Sequence, residues 1–196
     1  MATIVNKKNH MSALSLVQCG MFATLMMIGA NITAFAPFLV VGGVPITLQT
    51  FFAILAGLML GSRLGAISMT VYMCLGLVGA PVFAKFSGGF GSILSPTFGF
   101  IVSFIFIAYI AGKIIEKNGK LHSYIIAALV AMTINYLFGT NWMYLSYKFW
   151  AAAPDAFTYK VAWIWMLPPL PKDILLAVLA GMFGHRMNKT LKVRRI

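Results

Sequence analysis

Long uninterrupted apolar stretches alternate with short polar segments along this chain. No Asp, Glu, Lys or Arg occurs between Met11 and Ser62, and the segments 64–84, 86–112 and 121–147 also lack these residues. Each stretch is longer than the ~20 apolar residues that a helix needs to cross a hydrocarbon core of about 30 Å. The pattern therefore predicts an all-α integral membrane protein.

Glycine, proline and polar residues divide these stretches into six predicted transmembrane helices. Their approximate bounds are 12–30, 47–61, 64–77, 98–115, 122–146 and 168–187. Three of the connecting segments, 31–49, 79–97 and 148–167, are long and rich in Pro, Gly, aromatic and polar residues, whereas the other connections are short. No internal repeat is convincing, so we expect one domain over residues 1–196.

The distribution of positive charge predicts the orientation of these helices. Six spans bring both termini to one side, where eleven of the fifteen Lys and Arg residues fall; the remaining four are Lys85, Lys148, Lys160 and Lys172. The positive-inside rule then predicts cytoplasmic termini in the cell membrane, with the long segments outside and a ligand pocket opening outward. The formal charge of +12 is scattered between apolar spans, so we expect no nucleic-acid partner. We interpret the first apolar segment as a retained span and not as a cleaved signal.

Residues able to carry catalysis are scarce. The acids are Glu116, Asp155 and Asp173, and the three histidines lie near span ends. No pair of carboxylates is suited to acid–base work, and no His, Cys or Asp cluster has metal-ligand spacing. The glycines near residue 88 lack the Lys-Ser/Thr of a phosphate-binding loop. We expect neither an enzyme nor a cofactor or metal site.

Asp173 is the acid with the strongest claim to a functional role. It follows Lys172 in the predicted first turn of the last helix, where the helix dipole favours a carboxylate by about 0.3–1 kcal/mol. On the residues alone this structural reading is favoured over a ligand-binding one. Lys85 is most simply a solvated loop lysine, and Thr47 is a candidate helix cap. Gln49 faces an apolar environment unless it forms a hydrogen bond.

Several motifs in register over residues 20–110 resemble the BioY family. The string VPITLQTFFAILAGLMLGSRLGAIS contains Pro-x-Thr-Leu-Gln (45–49) and Leu-x-Gly-x-Arg-x-Gly-like (60–65) elements. A Gly-x-Pro-Val-Phe loop (79–83) and a Pro-Thr-x-Gly-Phe helix entry (96–100) follow. Members of this family are the substrate-binding (S) components of energy-coupling factor (ECF) biotin transporters.

The resemblance implies a fold, a ligand and partners. It implies a fold of six transmembrane helices with a binding site for biotin. The implied partners are a membrane coupling subunit and two cytoplasmic ATPases, which drive transport by toppling the S component. It also favours a ligand-binding role of Asp173 over a purely structural one. Asp173 would accept hydrogen bonds from the ureido N–H groups of biotin, and a lysine would contact the biotin carboxylate. Gln49 and Thr97 belong to the matching motifs and are predicted to bind the substrate. Cys19 and Ala23 would form a small-residue pair docking on the coupling subunit.

The sequence also departs from the family pattern. The family commonly has Pro-Gly-Asp-x-x-Lys at the last helix, whereas here Lys172 replaces the glycine and Leu176 replaces the lysine. Either Lys172 or Lys85 replaces that lysine as the partner of the biotin carboxylate, or the contact with the carboxylate is weaker or absent. Two alternatives therefore stay open: an S component for another water-soluble vitamin, and a membrane-embedded enzyme or structural membrane protein.

Overall fold

The structure is a computed structural model that describes residues 12–32, 40–41 and 44–191. Within these residues the chain is helical apart from turns and one two-residue hairpin. The α-helices are α1 (Ala13–Asn31), α2 (Gln49–Leu60), α3 (Ser62–Leu77), α4 (Phe98–Lys117), α5 (Leu121–Phe149), α6 (Tyr159–Ile164) and α7 (Leu170–Leu191). The hairpin pairs β1 (Val40–Val41) with β2 (Val44–Pro45), and two 3₁₀ helices, Ala84–Phe86 and Phe90–Leu94, lie between α3 and α4.

All six predicted helices have counterparts, α1 to α5 and α7. The short helix α6 was not predicted; it forms in the segment that we expected to be irregular, where the Thr158 hydroxyl accepts a hydrogen bond from the Val161 N–H. The last helix begins at Leu170 and not at Pro168. Among the described helices, α1, α4 and α5 are long and apolar enough to cross a membrane, whereas α2 and α3 are apolar but shorter.

Small residues allow the central helices to approach each other closely. Helix α4 packs against α2, α3 and α5, and α7 packs against α2 and α5. A β-carbon on Gly57 would overlap the backbone of Ala108, and one on Gly65 would come within 2.9 Å of the Gly57 Cα atom. Membrane helices associate through this kind of packing because lipid supplies little hydrophobic driving force between them. Large apolar side chains instead cover the outer faces, such as Val17 on α1 and Leu175 on α7.

Glu116 stabilises the turn between α2 and α3 from a distant part of the chain. Its Oε1 atom accepts a 2.8 Å hydrogen bond from the Ser62 N–H at the start of α3, and its Oε2 atom lies 3.3 Å from the Lys113 ammonium. A carboxylate at a helix N-terminus satisfies an unpaired N–H and complements the helix dipole. Glu116 therefore has a structural role, which agrees with its exclusion from catalysis.

The loop from residue 79 to residue 97 folds back over the opposite end of the bundle. The Asn31 side chain at the end of α1 accepts a 2.6 Å hydrogen bond from the Phe86 N–H, and the Gly89 N–H donates to the Gly76 carbonyl oxygen at 2.7 Å. The Phe83 ring packs edge-on against Tyr72 of α3. These contacts hold the loop against the C-terminal end of α1 and against α3, and residues of the loop line a pocket together with residues of α2 and α7.

Candidate binding pocket

The pocket lies where the segment before α2, the 79–97 loop, α4, α5 and the start of α7 meet. Its polar lining residues are Thr47, Gln49, Thr50, Ser87, Ser92, Ser95, Thr97, Asn135, Tyr136, Lys172 and Asp173. Its larger apolar lining residues are Phe83, Phe100, Ile101, Phe104, Trp165 and Met166. A concave, mostly apolar site with a few converging polar groups is typical of small-molecule binding.

Asp173 is the acidic lining residue, and both of its carboxylate oxygens already have a donor. The Lys172 ammonium lies 2.8 Å from Oδ1, and the Tyr136 hydroxyl donates a 2.6 Å hydrogen bond to Oδ2. Asp173 is 8% exposed, so its charge is largely removed from solvent. Since each carboxylate oxygen has two lone pairs, each can still accept a further hydrogen bond from a ligand.

Lys172 connects two walls of the pocket. Besides its ion pair with Asp173, its ammonium donates a 2.6 Å hydrogen bond to the carbonyl oxygen of Thr47. These two residues are 125 positions apart in the sequence, and the bond joins the start of α7 to the segment that precedes α2. Lys172 thereby neutralises Asp173 and also orients it.

Gln49 belongs to a second hydrogen-bonded group. Its side-chain amide donates to the Tyr72 hydroxyl at 2.8 Å, and that hydroxyl donates to the Val82 carbonyl oxygen at 3.0 Å. The Thr47 hydroxyl donates to the Gln49 amide oxygen at 3.1 Å and also accepts a hydrogen bond from the Gln49 N–H. The N-cap residue of α2 is Leu48 and not the predicted Thr47, although the Thr47 hydroxyl does satisfy the N–H of the first helical residue. Gln49 is buried and has hydrogen-bond partners.

Asn135 forms a third group deeper in the bundle. The Ser103 hydroxyl donates to the Asn135 amide oxygen at 2.6 Å, and the Asn135 amide nitrogen donates to the Thr50 hydroxyl at 3.2 Å. These hydrogen bonds join α2, α4 and α5, as polar side chains between membrane helices commonly do. Asn135 and Thr50 also line the pocket, so they offer neutral polar groups beside the apolar lining.

Aromatic packing holds the segment around α6 against α5. The Phe157 ring lies 4.8 Å from the Tyr147 ring and 5.1 Å from the Trp165 ring, measured between centroids. Trp165 and its neighbour Met166 both line the pocket. The segment after α5 therefore contributes an apolar wall to the site.

Comparison with known proteins then identifies the family. The model of the BioY family matches residues 5–193. The chain belongs to the BioY family. It is 46% identical over 188 residues to BioYB of Bacillus subtilis (strain 168), covering 94% of this chain and 92% of that protein. It is 30% identical to the biotin transporter BioY of Thermotoga maritima, with coverage of 92% and 98%.

A solved structure supports the same fold. The crystal structure of the S-component for biotin from an ECF-type ABC transporter matches with a TM-score of 0.74 over 92% of this chain and 95% of that one. The two sequences are 22% identical, so the likeness is evidence for the fold alone. The family membership confirms the prediction of a membrane transport protein and not an enzyme.

The pocket of this BioY chain brings together four of the five residues that we predicted to bind substrate. Asp173, Lys172, Gln49 and Thr97 all line it, whereas Lys85 does not. The Lys85 side chain is exposed, and its backbone has a positive φ of 61° in the turn that folds the loop back. Its neighbours Phe83, Ala84 and Ser87 line the pocket instead, and a contact between Lys85 and a ligand stays a prediction.

The predicted docking pair also has a different environment from the one expected. Cys19 and Ala23 are 4% and 5% exposed. The Cys19 carbonyl oxygen accepts a 2.8 Å hydrogen bond from the Ser68 hydroxyl, and the Cys19 thiol points to the Leu64 carbonyl oxygen. The small residues therefore allow α1 to approach α3 within this chain, and the pair does not form an exposed docking surface here.

Sequence analysis missed Tyr136, Thr50 and Trp165 as pocket residues. Tyr136 was indistinguishable from the other aromatic residues of a long apolar helix, because its hydroxyl partner lies 37 positions away. A buried tyrosine usually has a hydrogen-bond partner. Asp173 was one of few possible acidic partners, since the chain has three acids. No metal-binding group of three or more His, Cys, Asp or Glu residues occurs among the described residues.

Proposed function

We propose that this chain is the biotin-binding S component of an ECF-type transporter in the cell membrane. The observation that carries the proposal is the buried Asp173 carboxylate in the pocket, held by Lys172 and Tyr136, in a member of the BioY family. Relatives of this chain are named as biotin transporters, and the matching crystal structure is of an S-component for biotin.

The chemistry of the pocket suits the head group of biotin. The bicyclic head has two N–H donors and one carbonyl acceptor on an otherwise apolar framework. Asp173 oxygens can accept from the N–H donors, and the ring system can pack against Phe100, Phe104 and Trp165. Hydrogen bonds to a charged partner are the stronger kind, so a desolvated carboxylate is well suited to fix the orientation of a neutral urea.

The proposed topology has six spans, formed by α1 to α5 and α7, with α6 outside. Helices α2 and α3 contain 12 and 16 residues, which corresponds to rises of about 18 and 24 Å. The adjoining loops would complete these two crossings where protein surrounds them. The positive-inside rule supports cytoplasmic termini, since Lys85, Lys148, Lys160 and Lys172 are the only cations of the sequence assigned to the pocket end.

The proposed partners are a membrane coupling subunit and two cytoplasmic ATPases. The sequence contains no nucleotide-binding motif, which agrees with ATP hydrolysis by separate subunits. Because Cys19 and Ala23 are buried, we assign the docking face of α1 to the adjacent exposed residues Gly20 and Thr24. The space around Gly20 is open, with no heavy atom within 4 Å of where a β-carbon would lie.

Calorimetry with the purified chain in detergent tests the ligand assignment. Wild-type protein should bind biotin tightly, and Asp173→Asn should weaken binding by about 2–5 kcal/mol if a desolvated charge partner is lost. Asp155→Asn, which changes an exposed acid of the outer segment, is the matched control and should bind as the wild type does. A folded wild-type chain that ignores biotin but binds thiamine or riboflavin would assign the site to another vitamin.

A further inference from the structure

The single cation among the described residues of the pocket lining, Lys172, already has an ion-pair and a hydrogen-bond partner. Lys172 is the only Lys, Arg or His among the described residues that line the pocket, and it contacts both Asp173 and the Thr47 carbonyl oxygen. A ligand carboxylate in this pocket therefore has no unpaired positive partner among the residues that the structure describes.

Asp173 also works against a ligand carboxylate at Lys172. The Lys172 ammonium and the Asp173 carboxylate are 2.8 Å apart, so an anion that reached Lys172 would lie beside a second negative charge in a poorly solvated site. Like charges in such a site repel strongly. A neutral urea has no such penalty, and its N–H groups match the remaining lone pairs of Asp173. The valerate tail separates the urea of biotin from its carboxylate, so one ion pair cannot serve both ends of an extended molecule.

Neutral hydroxyl groups form another part of the pocket lining, the hydroxyl wall. Ser92, Ser95 and Thr97 line it from the end of the 79–97 loop, and the Ser95 and Thr97 hydroxyls are 2.9 Å apart. The segment that carries these hydroxyls contacts α5, since the Trp142 indole N–H donates to the Ser95 carbonyl oxygen at 3.2 Å, whereas Lys172 and Asp173 lie in the first turn of α7. The hydroxyl wall and the Lys172–Asp173 pair thus come from different segments of the chain.

We propose that the biotin carboxylate is held by the Ser92, Ser95 and Thr97 hydroxyls and not by a lysine, so that the site also accepts biotin with an uncharged tail. This inference rests on the proposed function. Hydroxyl groups both donate and accept hydrogen bonds, whereas an ammonium group only donates. A carboxamide, which has one acceptor oxygen and an NH₂ donor, can therefore hydrogen-bond to the hydroxyl wall, whereas at a lysine it would lose the ion pair that a carboxylate forms. Leu176, one turn after Asp173, does not line the pocket and provides no polar alternative.

The test is a cycle that combines two ligands with single substitutions. Calorimetry would measure the dissociation constants of biotin and biotinamide for wild-type protein and for Lys172→Gln, Lys85→Ala, Thr97→Val and Ser92→Ala. Wild-type protein should bind the two ligands within about tenfold of each other, because the hydroxyls can hydrogen-bond to either terminal group and no ion pair is lost. Lys172→Gln should weaken the binding of both ligands by the same factor, and Lys85→Ala should change neither dissociation constant.

The hydroxyl substitutions give the positive result. Thr97→Val and Ser92→Ala should each weaken biotin binding by about 3–10-fold and should change the ratio of the biotin and biotinamide dissociation constants. Thr133→Val is the control, because this hydroxyl lies exposed on α5 and donates only to the Leu129 carbonyl oxygen. A wild-type preference for biotin of about 30-fold or more that disappears in Lys172→Gln or Lys85→Ala would overturn the inference. Failure of wild-type protein to bind either ligand would instead overturn the proposed function, and this inference with it.

Discussion

The hydroxyl of Tyr136 lies 2.6 Å from Oδ2 of Asp173 and joins α5 to the first turn of α7 inside the pocket. Together with Lys172 on Oδ1, this hydrogen bond leaves the Asp173 carboxylate little freedom to rotate. A ligand that binds to Asp173 therefore meets an acceptor that is already oriented, which lowers the entropy cost of binding.

Tyr136→Phe should weaken biotin binding without abolishing it. The substitution keeps the ring but removes the donor to Oδ2, and a hydrogen bond to a charged group is worth about 1.5–3 kcal/mol. Calorimetry should show the corresponding loss of affinity, whereas Tyr147→Phe, on the same helix but outside the pocket lining, should bind normally. Equal affinities for Tyr136→Phe and wild-type protein would show that this hydrogen bond does not orient Asp173 for the ligand.

Lys172→Met should lower both stability and biotin affinity. It leaves Asp173 without its positive partner and breaks the hydrogen bond to Thr47. We expect a stability loss of about 1–3 kcal/mol, less than for a fully buried pair, because the Lys172 side chain is 32% exposed. The double variant Lys172→Met/Asp173→Asn should recover part of the lost stability in thermal unfolding, because the uncompensated charge is gone. No recovery would mean that the Thr47 contact, and not the ion pair, carries the effect.

Glu116→Ala should destabilise the chain and leave the pocket unchanged. The substitution removes the acceptor for the Ser62 N–H at the start of α3, which is worth about 0.5–2 kcal/mol for a helix cap. Thermal unfolding should detect this loss, and Glu116→Gln, which retains an acceptor, should show a smaller one. Biotin affinity should be the same in all three proteins, since Glu116 does not line the pocket.

Gly57→Ala should disturb the packing of the central helices. Its added methyl group would overlap the backbone of Ala108, so α2 and α4 must separate, at a cost of about 1–3 kcal/mol. Gly20→Ala is the matched control, since the space around this helical glycine is open and alanine favours the helix. A melting temperature of Gly57→Ala equal to that of Gly20→Ala would show that α2 and α4 are not in close contact.

Gly20→Leu should separate ligand binding from complex assembly. A large side chain at this exposed position does not touch the pocket, so biotin binding by the isolated chain should persist. Co-purification with a coupling subunit should fall if this face of α1 docks on it, because close helix packing needs small residues. Undiminished co-purification would exclude this face as the docking surface.

The sequence by itself determined the membrane character and the order of the main helices, and it placed Asp173 at the start of the last helix. These properties follow from local features: apolar runs of spanning length, glycine and proline between them, and one acid at the start of the last helix. Motifs in register also pointed to the family that the comparison confirmed. Short-range patterns are sufficient for such conclusions because hydrophobicity and helix termination depend on neighbouring residues.

Only the tertiary structure decided which side chains meet. It paired Lys172 with Asp173 and Thr47, brought Tyr136 to the same carboxylate, excluded Lys85 from the pocket lining and buried Cys19 and Ala23 against α3. Apart from the Lys172–Asp173 pair, these contacts join positions far apart in the chain, and they depend on the rotation of each helix about its axis. In a helix that is apolar on every face, the sequence pattern does not specify that rotation, whereas close packing at small residues and hydrogen bonds between buried polar groups do.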